Sequence, residues 1–140
     1  MKRKYDYNSE TGTSHVIILE GDNEYHGFAS CHAEDEDFKS ERIGMTIAEA
    51  RAEINFLQHI RDNEIMPALK ALRHLYSNMK TSKYFNLYSY ETRMLRRQIC
   101  IKENDLIAVK QEINNRKQFI IDYIKQKDEL HDKLRKAKKN

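Results

Sequence analysis

The chain has 140 residues, 34% of them charged and 39% hydrophobic, with four Gly, one Pro and no Trp. That length suits a single domain, and the scarcity of turn residues argues against an all-β fold and for long helices. The net charge of +3 is unevenly spread: Glu10 to Glu41 holds nine acids against Lys39 alone, whereas Lys70 to the end holds 18 Lys and Arg against eight acids.

Residues 1–14 are polar and basic, with a turn signal at Asn8 to Gly12, and read as a loose arm or a first edge strand. His15 to Glu20 (His-Val-Ile-Ile-Leu-Glu) is rich in β-branched residues and predicts a strand. Gly21-Asp22-Asn23-Glu24 is a hairpin turn, and Tyr25 to Cys31 returns as the partner strand. Alternation places Tyr25, Gly27, Ala29 and Cys31 on one face, and His26, Phe28, Ser30 and His32 on the other. A two-stranded hairpin is marginal alone, so it must lie on the helices or join a sheet of another subunit.

The spacing predicts a first helical segment over 45–80, entered at Met45 or Thr46, with Thr46 and Glu49 at capping-box spacing. Ile47, Ala50, Ile54 and Leu57 form one apolar stripe; Ile65, Ala68, Leu72, Leu75 and Met79 form a second. Pro67 predicts a kink or break near Asp62-Asn63-Glu64, because an interior proline removes a backbone bond and clashes with the preceding turn. Residues 81–87 are a connection. A second long helix is predicted over 88–136, with the stripe Leu95, Ile99, Lys102, Leu106, Val109, Ile113, Arg116, Ile120, Ile124, Lys127, His131 and Leu134. A helix of that length spans roughly 70 Å. It needs a partner helix, either within a helical hairpin or from a second copy in a coiled coil, so a homo-oligomer is expected. The expected architecture is α+β: residues 1–44 as a small antiparallel hairpin or sheet with an acidic turn, then mostly helix.

No run approaches the roughly 18 apolar residues of a membrane span. Two cysteines and the absence of an apolar leader predict a reduced, cytoplasmic protein. Cys31-His32 suggests a nucleophile and base, but strand alternation sends adjacent side chains to opposite faces. His15, His26, Cys31 and His32 lack structural zinc spacing, so no metal is expected. Glu34-Asp35-Glu36-Asp37 lacks the pattern of a calcium loop and reads as a solvated turn ahead of a helix. No catalytic constellation or cofactor motif is present, and a non-enzyme is expected.

The sharpest binding candidate is the segment 84–97. Tyr84, Phe85 and Tyr88 could stack on a base, Asn86 could read its edge, and Arg93, Arg96 and Arg97 could hold phosphate. The plainer reading is that the aromatics cap the helical core and the arginines are solvated. The second helix interleaves its positive charges with Glu103, Asp105, Glu112, Asp122 and Asp128. That favours an exposed coiled-coil surface over direct nucleic-acid binding.

Gly27-Phe28-Ala29-Ser30-Cys31-His32, then Asp35, Asp37-Phe38, Gly44, Ile47-Ala48 and Arg51-Ala52, resembles a pattern in small phage and prophage proteins of Firmicutes. The layout is similar to that of phage Thoeris anti-defence sponges, oligomers that cage a cyclic ADP-ribose-type signal without degrading it. The resemblance implies a counter-defence protein acting in the infected host, with a nucleotide signal as ligand and Arg51 as a further phosphate-binding candidate. Without a ligand, Arg51 would pair with a neighbouring Glu. The alternative is a protein–protein inhibitor of a host defence protein, like an anti-CRISPR, or a helical adaptor docking through its charged faces.

Overall fold

The computed structural model describes residues 1–30 and 41–139. Cys31, His32, the acidic run Glu34 to Asp37 and Phe38 lie outside the described residues. The architecture is α+β and mostly helical, with a three-stranded antiparallel sheet preceding long helices. The chain forms two compact units, one from Met1–Phe56 with Ile113–Asn140 and the other from Leu57–Glu112.

In the first unit the strands are β1 (Lys2–Asn8), β2 (Thr13–Glu20) and β3 (Asn23–Ser30), in the order β1-β2-β3. The basic N-terminal stretch is thus an edge strand. Gly21 and Asp22 alone join β2 to β3, and Gly21 takes the positive φ of 59° that so tight a hairpin favours. Val16 faces Gly27 and Ile18 faces Tyr25 across the ladder. Val16, Ile18, Tyr25 and Ala29 are buried, whereas Phe28 on the other face is 53% exposed. The period-two reading of β3 therefore describes a sheet with one covered face.

Helix α1 (Glu41–Ile60) covers that face, burying Ile47, Ala48, Ala50, Ala52 and Ile54. It is already helical at Glu41, so Thr46 lies inside it. Its hydroxyl donates to the Arg42 carbonyl at 2.7 Å, in place of the predicted capping role. The alanines matter because helix and sheet approach closely at Gly27. A Cβ on Gly27 would overlap the Ala48 carbonyl oxygen and the Ala52 backbone nitrogen, and would lie 3.1 Å from the Ala48 carbonyl carbon.

Gly44 repeats the device at the start of α1. A Cβ there would overlap the Ser14 hydroxyl and sit 3.2 Å from Ser14 Cβ. Ser14 is fully buried, and its Oγ has no hydrogen-bond partner among the described residues. Gly44→Ala is therefore expected to destabilise by about 1–3 kcal/mol, the usual cost of overpacking. Combining it with Ser14→Gly should recover most of that loss in a urea titration. An unchanged midpoint for Gly44→Ala alone would contradict the contact.

The remaining described part of the first unit comes from helix α3 (Tyr90–Lys139), whose Ile113 and Ile120 are buried. Arg116 lies between them on the same stripe, and its Nε bonds Glu53 Oε2 at 2.6 Å. Glu53 Oε1 accepts from Arg3 Nη1 at 2.7 Å. Strand β1, helix α1 and helix α3 are thus joined through one carboxylate, only 20% exposed. Glu49, one turn earlier on α1, lies 3.5 Å from Arg3 and accepts the Tyr5 hydroxyl at 2.5 Å.

In the second unit the chain stays helical through the predicted kink. Arg61–Ile65 forms a π-helical turn leading into α2 (Met66–Lys80), and the Met66 N–H reaches back five residues to the Arg61 carbonyl. Pro67 is the second residue of α2, directly after this turn. The wider turn gives the ring room that a regular helix denies it. Leu69 is the fully covered residue of α2, while the predicted stripe residue Leu75 is 51% exposed. Leu95 and Val109 of α3 are buried in this unit, as its stripe predicts.

Candidate functional site

Helices α2 and α3 of the second unit border an open groove of about 360 Å³. Arg73, Tyr76, Ser77 and Lys80 line it from α2; Arg96, Ile99, Cys100 and Glu103 line it from α3. Each set follows three- and four-residue spacing, so each occupies one helical face. Arg73 Nη2 bonds Glu103 Oε1 at 3.1 Å across the groove. Lys80 Nζ stands 4.9 Å from the Tyr76 ring centroid. With three cations and one carboxylate, the lining carries a net charge of +2. An aromatic face beside exposed guanidinium and ammonium groups can hold an aromatic anion, the ring by stacking and the anion by charge-assisted bonds.

The predicted site residues are distributed as follows. Arg96 lines the groove. Arg93 and Arg97 are exposed on α3. Phe85 is half-buried, meeting Tyr76 edge-on at 6.2 Å between centroids. Tyr84 and Tyr88 are 81% and 84% exposed. Asn86 uses its Oδ1 to accept the Tyr88 N–H at 2.9 Å, a local turn bond. Ser89 caps α3 by accepting the Thr92 N–H at 3.2 Å. The segment 84–97 thus combines an exposed turn with the start of a helix.

Arg51 belongs to the first unit. Its Nη1 donates to the Phe28 carbonyl at 2.6 Å, and Asn55 Nδ2, one turn later, donates to the His26 carbonyl at 2.5 Å. Among the described residues the expected helical Glu is not its partner. The two side chains instead occupy outward carbonyls of an edge strand, which would otherwise be open to pairing.

The outer face of the sheet carries a polar–aromatic row. His15 Nε2 and His26 Nδ1 are 2.7 Å apart, His26 Nε2 is 3.2 Å from Glu24 Oε2, and His15 stacks on Phe28 with centroids 4.2 Å apart. Among the described residues no group of three or more His, Cys, Asp or Glu is arranged to hold a metal ion. Nor is any helix among them long and apolar enough to cross a membrane.

Fold and groove together define an α+β protein whose second unit presents a basic, aromatic-lined cleft between two helices. No protein-family model matches the sequence, and neither does any curated protein or solved structure.

Proposed function

We propose that this protein binds an anionic nucleotide in the groove between α2 and α3 and sequesters it without chemical change. The observation that carries the reading is the pairing of Tyr76 with Arg73, Lys80 and Arg96 in one cleft. Its volume of about 360 Å³ falls within the range of small-molecule sites. The ring supplies a stacking face, and the cations match phosphate. Glu103, the groove's carboxylate, is engaged by Arg73, which favours holding a ligand over proton transfer to it. The resemblance of the Gly27-to-Gly44 cassette supplies the biological setting: a phage counter-defence protein holding a cyclic ADP-ribose-type signal in the cytoplasm of an infected host.

Calorimetry against cyclic nucleotides and ADP-ribose derivatives tests this. Saturable binding is expected, with intact ligand recovered after denaturation. Arg96→Ala should weaken it about tenfold or more, the worth of a charge-assisted hydrogen bond. Absence of binding across the panel, or recovery of a cleaved product, overturns the reading. The exposed Tyr84 and Tyr88 favour a second one, docking on a host defence protein, since tyrosine is enriched at interfaces. A stable complex with a purified effector, lost in Tyr84→Ala/Tyr88→Ala, would then replace sequestration.

A further inference from the structure

The two edges of the sheet are treated differently. On β3, the outward carbonyls of His26 and Phe28 are taken by Asn55 and Arg51. Those bonds also fix which way every strand faces. Backbone groups alternate sides along a strand, so Tyr25, Gly27 and Ala29 must point toward β2. Their register partners Ile18, Val16 and Ser14 then point toward β3, and His15, Ile17 and Leu19 point toward β1. In turn Asp6, Lys4 and Lys2 bond β2, and Arg3, Tyr5 and Tyr7 turn their N–H and C=O groups away from the sheet. Among the described residues no side chain bonds those outward groups, although Arg3 and Tyr5 extend their own side chains to α1.

We propose that this edge pairs with β1 of a second copy, antiparallel about a two-fold axis through Tyr5, to give one six-stranded sheet. Three features of the strand select this partner. Tyr5 is the central residue of Lys2–Asn8, so all seven residues pair. Its outward N–H and C=O make it the centre of a hydrogen-bonded ring, one of the two kinds of place where a two-fold axis can fall in an antiparallel pair. In this register Lys4 faces the partner's Asp6 and Asp6 faces the partner's Lys4, with Lys2 opposite Asn8 and Arg3 opposite Tyr7. No like charges meet. Moving the axis by one residue, into a non-hydrogen-bonded ring at Lys4 or Asp6, sets that charge directly against its own copy, and moving it to Arg3 sets Lys2 against Lys4 and Arg3 against itself. Parallel in-register pairing stacks Lys2, Arg3 and Lys4 on their own copies. Pairing also covers Tyr5, 54% exposed in the single chain.

Sedimentation equilibrium of the full chain tests the interface independently of any ligand. The native chain is expected to dimerise at micromolar concentration. Asp6→Lys sets Lys against Lys, and Lys4→Asp sets Asp against Asp, twice per dimer. Each should raise the dissociation constant roughly tenfold or more, since opposed cross-strand charges change sign at both sites. The swapped pair Lys4→Asp/Asp6→Lys should restore dimerisation. Both positions are exposed, so the variants keep the fold of the single chain. A native chain that is monomeric throughout this range overturns the proposal. So does self-association that neither single variant weakens, or that the swap fails to restore.

Discussion

Gly27→Val is expected to lower the stability of the first unit by about 3 kcal/mol or more, at the top of the range for overpacked cores. The cause is the identity of the atoms in the way. A Cβ on Gly27 meets the Ala48 carbonyl and the Ala52 backbone nitrogen. Backbone in the middle of a helix cannot rotate aside as a side-chain tip can. The helix must lift off the sheet, loosening the burial of Ala48, Ala52, Val16 and Ile18, all fully buried. Gly27→Ala should already show most of the effect. Ala48→Gly should not rescue it, because the colliding atoms remain. Phe28→Ala, one residue along on the exposed face, serves as the control and should cost little. Urea midpoints decide the matter: a loss below about 1 kcal/mol for Gly27→Ala would mean that α1 stands farther from β3 than described.

The second large effect is expected at Glu53. Glu53→Gln leaves the Arg3 and Arg116 guanidinium groups facing each other without their shared carboxylate. Breaking a buried ion pair from one side commonly costs about 3–5 kcal/mol. The arginine side chains are 30% and 32% exposed, so solvent screening reduces the expected loss to about 2 kcal/mol. The same group sets an acid limit. Burial pushes the Glu53 carboxyl up, and the hydrogen bonds and charges of Arg3 and Arg116 outweigh that and hold it below the ordinary carboxylate value. Its folded pKa therefore lies under its unfolded one, near 4.3. The stabilisation is complete above about pH 5 and is lost as pH falls through the folded value. Stability measured from pH 7 to 3 should decline in the native chain and decline less steeply in Glu53→Gln. Parallel curves would show that the carboxylate is not held in this way.

Both effects concern residues that the sequence displays without explaining. Gly27 is visible in the alternation of β3, and its face is read correctly from period two. Nothing local indicates that a helix backbone rests on it. Arg116 stands in the α3 stripe as a polar residue at a core position. Its explanation, Glu53, lies 63 residues earlier. The position of the π-helical turn is legible because proline chemistry is local, whereas its form is not. Thr46 misleads, since capping-box spacing says nothing about whether the helix has already begun. Ser89, with Thr92 three residues on, carried a readable cap signal nearer the true start of α3.

The groove shows the same division. Arg73, Tyr76, Ser77 and Lys80 share one helical face in the sequence, and so do Arg96, Ile99, Cys100 and Glu103. A helical hairpin with 81–89 as its turn would place such faces together, yet aromatic density drew the expected site to Tyr84–Arg97. Of those residues only Arg96 lines the groove; Phe85 packs edge-on against Tyr76, and Tyr84 and Tyr88 stand exposed in the turn.

By itself the sequence determined what depends on near neighbours. Strand and helix periods, the hairpin at Gly21, a departure from the regular α-helix before Pro67 and the long stripe of α3 all follow from spacing within a few residues. The tertiary structure alone decided how close α1 lies to Gly27, which carboxylate balances Arg116, and that Arg51 holds the Phe28 carbonyl. These depend on packing distances between segments far apart in the chain, and no local pattern encodes them.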